Sequence, residues 1–144
     1  MPETAPFAWA NPQEVDLTRP YLYFIVIRSP EREYRYVGKG SSPSRMDAYA
    51  RNVARVFAGR TKRPAINRHG RAQSEGNIKY RFVHLVLATA VRRGWSIEHY
   101  PLENCEKHEH TVLEQRRIVE LRCDMNSGPS WFVGDFERLS GDLS

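Results

Sequence analysis

An unbroken apolar run near the start of the chain, residues 21–27 (Tyr-Leu-Tyr-Phe-Ile-Val-Ile), constrains the fold more than any other stretch. It mixes aromatic and β-branched side chains and is far shorter than the ~20 residues of a membrane span. It therefore reads as a buried β-strand. Ser29-Pro30-Glu31-Arg32 follows with the composition of a turn. Residues 33–37 then alternate, with Tyr34 and Tyr36 on one face and Arg35 and Val37 on the other. The two runs together predict a β-hairpin.

Beyond the hairpin, Gly38-Lys39-Gly40-Ser41-Ser42 reads as a flexible connection. Ser42 before Pro43 combines a capping hydroxyl with a proline at the first helical position, so a helix is expected over 43–58, stopped by Gly59. Met46, Ala50, Val53 and Phe57 form its apolar stripe. Arg45, Tyr49 and Asn52 fall on an adjacent stripe that can face a groove. Residues 59–78 read as a long loop, a length more often tied to function than to filler. Residues 80–93 suit a second helix ended by Gly94, and residues 95–102 a third strand. Asn104 is placed to cap a third helix over 106–122, with Val112, Leu113, Val119 and Leu121 apolar. Residues 124–129 read as a loop. The fold class expected is α+β: a small three-stranded antiparallel sheet flanked by helices, in the order β-β-α-α-β-α. Its parts are an N-terminal arm over 1–19, the main domain over 20–130, and a tail over 131–144 packed on it around Trp131, Phe132 and Phe136.

Charge adds a direction. The 144 residues suffice for one domain with its own core, and the net charge is +5. Eight Arg or Lys and one acid, Asp47, lie between residues 45 and 72. A one-signed excess of that kind favours a polyanionic partner. Arg51, Arg55, Arg60, Lys62, Arg63, Arg68 and Arg71 are thus candidate DNA-binding residues. Residues 1–11 carry no basic residue and no long apolar core, unlike a secretory signal. Cys105 and Cys123 lack C-x-x-C spacing, and with His108 and His110 they fit no ordinary zinc pattern. A cytoplasmic protein with reduced thiols and no membrane association is expected.

Six residues carry the chemistry: Tyr23, Tyr36, Arg45, Tyr49, Glu114 and Asn126. Arginine suits phosphate because its donor fork binds two oxygens at once and stays charged. One carboxylate can anchor a Mg²⁺ that keeps most of its waters. A tyrosine hydroxyl near cations can lose its proton more easily, which suits it to act on water. Taken singly, each residue has an ordinary reading. The tyrosines are packing residues, Arg45 a solvated charge, Asn126 a turn residue, and Glu114 the partner of Arg117 in an i,i+3 pair.

The ordered set resembles the GIY-YIG nuclease superfamily. Tyr21-Leu22-Tyr23 stands for the first signature, without its glycine, and Tyr36-Val37-Gly38 matches the second. Arg45 matches the helix arginine, and Tyr49 falls where members carry histidine or tyrosine. Leu113-Glu114 and Asn126 resemble the metal-binding glutamate segment and the closing asparagine. The matches span residues 21–126. The resemblance implies a metal-dependent DNA endonuclease leaving 5′-phosphate and 3′-hydroxyl ends, with a restriction-type enzyme as one form. It implies Glu114 as ligand of Mg²⁺ or Mn²⁺, Tyr23 as general base, and Arg45 as phosphate ligand. Tyr36 and Tyr49 would orient water and phosphate, Lys39 would assist the nucleophile, and Asn126 would support the site. Cutting both strands would call for a homodimer. The competing reading is a nucleic-acid-binding module that keeps the fold and does not cut.

Overall fold

The computed structural model describes residues 5–59 and 79–143. Among the described residues it is an α+β structure with one three-stranded antiparallel sheet and four α-helices. The strands are β1 (Tyr21–Arg28), β2 (Glu33–Gly40) and β3 (Ser96–Asn104), in spatial order β2-β1-β3. The helices are α1 (Ser44–Phe57), α2 (Phe82–Arg93), α3 (His110–Glu120) and the short α4 (Phe136–Gly141).

The apolar run occupies the central strand, which explains why it does not alternate: both of its faces are covered. Tyr21, Tyr23, Ile25 and Ile27 join one core with Tyr34, Tyr36 and the inner faces of α1 and α2. Leu22, Phe24 and Val26 join a second core, with Val37 and with Leu113 and Ile118 of α3 packed against it. The parity read from residues 34–37 is therefore the one observed. Helix α2 is buried along Val83–Ala90, as its apolar composition requires.

Several boundaries differ from the sequence reading. Strand β2 runs on through Gly38-Lys39-Gly40, which is ladder rather than flexible connection. The two glycines let tyrosines of β1 lie across the neighbouring strand. A Cβ on Gly38 would land on the Tyr23 phenol, and one on Gly40 would lie 2.8 Å from the Tyr21 hydroxyl and 2.9 Å from Arg45 Cγ. Ser42 does not cap α1 through its side chain; backbone bonds from Arg45 and Met46 to Ser42 and Pro43 close the first turn. Val56, not Phe57, completes the buried stripe of α1, while Phe57 is exposed.

Asn104 ends β3 instead of capping a helix. Its side-chain NH₂ donates to the Asp16 and Pro20 carbonyls, and its oxygen accepts from the Asp16 N–H, tying residues 16–20 to the sheet. Val112 and Val119 point to solvent on α3, so its apolar stripe is narrower than expected. Phe7, Trp9 and Leu17 pack on the core, which places the described part of the arm against the domain. The tail contributes α4, and Trp131 and Phe136 are buried in the main core.

Candidate active site

The outer edge of β2 is where the site is built. An edge strand leaves backbone groups unpaired, and here residues 124–126 take them. The Arg35 carbonyl accepts from the Asp124 and Met125 N–H groups, and Asp124 Oδ1 accepts from the Arg35 N–H at 2.8 Å. Asn126 does the same at Val37: its oxygen accepts from the Val37 N–H at 3.1 Å, and its NH₂ donates to the Val37 carbonyl at 2.6 Å. One side chain thus imitates a strand partner and fixes the position of Tyr36-Val37-Gly38.

Beside that edge lies a cleft of about 560 Å³ lined by Tyr36, Lys39, Arg45, Arg81, Glu114 and Asn126, among others. Residues that are far apart in the chain are therefore brought together from β2, α1, α3 and the loop after α3. Tyr23 and Tyr49 lie beneath, at 0% and 1% exposure. Their hydroxyls are 2.5 Å apart. Arg45 donates from Nε to the Tyr23 hydroxyl at 3.2 Å and from Nη2 to the Tyr49 hydroxyl at 3.4 Å. Tyr49 thus does not face an open groove; it lies buried beneath the cleft.

Burial is the dominant influence on these tyrosines. Desolvation pushes the hydroxyls of Tyr23, Tyr36 and Tyr49 well above the ordinary tyrosine value, against the smaller opposing pull of Arg45 and Arg81. The expectation that nearby cations ease loss of a tyrosine proton is not met, because the low-dielectric surroundings outweigh them. Glu114 is also raised, first by desolvation, with Lys39, His110, Arg81 and Arg45 pulling the other way.

The Glu114 side chain forms no hydrogen bond or ion pair with any described residue. Arg117 is instead taken by Glu103 at 2.8 Å and by Glu120 at 2.5 Å. The ordinary i,i+3 reading of Glu114 is therefore not the observed one. Arg45 likewise has no acidic partner among the described residues. Lys39 donates to the Thr111 hydroxyl at 2.7 Å.

Of the candidate DNA-binding residues, Arg60, Lys62, Arg63, Arg68 and Arg71 lie outside the described residues. Arg51 lines a different groove, between α1 and residues 5–9. Arg55 is held by Asn52 Oδ1 at 3.0 Å. No group of three or more His, Cys, Asp or Glu is placed to hold a metal among the described residues. No helix among them is long and apolar enough to cross a membrane.

The residue that sequence reasoning missed is Arg81. Its Nη1 donates to the Tyr36 hydroxyl at 3.1 Å and its Nη2 to the Tyr49 hydroxyl at 3.2 Å. His84 Nδ1 accepts from its backbone N–H and the Trp131 indole donates to its carbonyl, so its main chain is fixed on both sides. One signal was available: an arginine immediately before an apolar helix opposes the helix dipole. Trp131, expected to pack in the tail, and His84 are both buried and serve Arg81 through these bonds. Comparison with known proteins finds no matching family model, no matching curated protein and no matching solved structure.

Proposed function

We propose that the protein is a metal-dependent DNA endonuclease with a GIY-YIG-like arrangement. The observation that carries this reading is one cleft holding a half-buried carboxylate, Glu114, and an arginine, Arg45, neither paired with an opposite charge among the described residues. A solvated structural charge has no reason to be held in this way. The hairpin that presents Tyr23 and Tyr36, followed by the helix of Arg45 and the later helix of Glu114, supports the same reading.

Glu114 fits a hard divalent cation such as Mg²⁺ or Mn²⁺, since its carboxylate is free and lines the cleft. As a lone carboxylate it would leave most of the coordination to water and phosphate oxygens. Bound there, the ion would supply charge neutralisation at the leaving oxygen. Arg45 would bind non-bridging oxygens of the phosphate and counter the charge that develops on them. Tyr36, a phenol whose hold on its proton burial strengthens, would orient the attacking water by a hydrogen bond. Tyr23 and Tyr49 would hold Arg45 in place from below. Lys39 adds positive charge at the cleft wall, and Asn126 keeps β2 in position. The products would carry 5′-phosphate and 3′-hydroxyl ends, and a homodimer would form if both strands are cut.

A second reading, a DNA-binding module that does not cut, is favoured by one observation: the Tyr23 hydroxyl, the general base that the resemblance implies, is completely buried, and desolvation raises its pKa well above the ordinary tyrosine value. Plasmid nicking with Mg²⁺ or Mn²⁺ separates the two. The nuclease reading expects wild-type nicking that Glu114→Ala abolishes while DNA affinity is kept. DNA binding without nicking of any DNA form supports the binding module.

A further inference from the structure

Arg81 has no part in the sequence pattern that suggested a nuclease, yet it is built into the cleft as Arg45 is, by two bonds to tyrosine hydroxyls. Its backbone is fixed by His84 and Trp131, and two of its side-chain nitrogens are aimed by Tyr36 and Tyr49. Its Nε is buried with no hydrogen-bond partner. No acid pairs with it among the described residues.

The Tyr49 hydroxyl receives Arg81 at 3.2 Å and Arg45 at 3.4 Å, so two guanidinium groups flank one oxygen. Arg45 lies in the first turn of α1 and Arg81 at the N-cap of α2, so both also face the positive end of a helix dipole. Lys39 lines the same cleft. Like charges held this close, and aligned with two unfavourable dipoles, call for an anion between them. The three surrounding tyrosines, kept neutral, cannot supply it, and Glu114, which lines the same cleft, forms no ion pair with either arginine.

We infer that Arg81 is a second phosphate ligand, which grips the substrate phosphodiester together with Arg45 from opposite sides of Tyr49. This rests on the nuclease reading for the identity of the anion as a nucleic-acid phosphate. Two forks on one phosphate bind more of its oxygens than one fork can, and they leave Glu114 free for the cation. A lysine at the same place would bring the charge without the fork.

The test measures affinity for a short labelled DNA duplex across a salt series, in a Glu114→Gln background that prevents cutting. Arg81→Met is expected to reduce the slope of log affinity against log salt by about one, since one phosphate contact is lost. Arg81→Lys is expected to keep the slope. With Glu114 restored, Arg81→Lys is expected to slow single-turnover nicking by about 10²-fold, the scale for losing one positioned donor. A purely structural Arg81 would lower the melting temperature and leave the slope unchanged. An unchanged slope in a folded Arg81→Met protein overturns the assignment. If Arg81→Met does not fold, Arg81→Lys decides: DNA affinity and nicking both equal to wild type overturn it. Wild type that nicks, with Arg81 variants that bind and cut equally well, sinks this inference alone. Wild type that binds without nicking, with the slope still lowered by Arg81→Met, sinks the nuclease reading and leaves the phosphate ligand standing.

Discussion

Replacing Gly38 with alanine tests the packing on which the whole site rests. The added Cβ would land on the Tyr23 phenol. Tyr23 has no room to retreat: it is fully buried, and the rings of Tyr21, Tyr36, Tyr49 and His99 have centroids 5.6 to 6.3 Å from its own. Its hydroxyl is also held by Tyr49 and Arg45. Overpacking of this kind costs about 1–3 kcal/mol. Breaking the hydroxyl's bonds adds about 1–2 kcal/mol. The expected loss is thus about 2–5 kcal/mol, read as a urea midpoint lowered by roughly 1–2.5 M for a denaturant slope of about 2 kcal/mol/M. Gly134→Ala is the control, because a Cβ there meets nothing within 4 Å, and its effect should stay within about 1 kcal/mol. Tyr23→Leu in the Gly38→Ala background removes the clashing ring end, so the two changes should couple favourably by about 1–3 kcal/mol. Equal midpoints for Gly38→Ala and Gly134→Ala, or no coupling with Tyr23→Leu, would refute the argument.

Three further expectations concern single residues. Asn126→Ala strips the partner from both backbone groups of buried Val37 and should cost about 1–3 kcal/mol in chemical denaturation. Asn126→Asp keeps the acceptor but cannot donate to the Val37 carbonyl, so an aspartate variant as stable as wild type would contradict the pairing. His99 is 3% exposed, and neither ring nitrogen has a hydrogen-bond partner. Burial, aided by Arg45 and opposed by Asp47, lowers its pKa from the usual 6.5 to about 4. Its folded-state value lies below the unfolded one, so its stabilising contribution is full above pH 6.5 and is lost as pH falls towards 4. At about 1.4 kcal/mol per pH unit that loss is about 3 kcal/mol. His99→Phe should flatten the stability profile in this window without weakening the fold at pH 7; an unchanged profile would show that another group sets it.

Much of the candidate site's membership was legible from residue order and type. Tyr36, Lys39, Arg45, Glu114 and Asn126 were all singled out by order and type, and all five line one cleft. Arg81 gave only the local sign of an arginine before an apolar helix; its place in the cleft depends on a bond from the Trp131 indole fifty positions away and on hydroxyls from β2 and α1. The exposed valines of α3 were misjudged for a related reason. Helical periodicity gives the apolar positions, but only the width of the facing sheet decides how many of them are covered.

The sequence by itself determined the hairpin, the α+β class and the parity of the tyrosines, since strand alternation and glycine stops are local properties of the chain. Tertiary structure alone decided that β1 is central, that Tyr23 and Tyr49 lie under the cleft and not in it, and that their protons are held tightly. Burial is a property of neighbours brought from elsewhere in the chain, and here it reverses what nearby cations would do to a tyrosine.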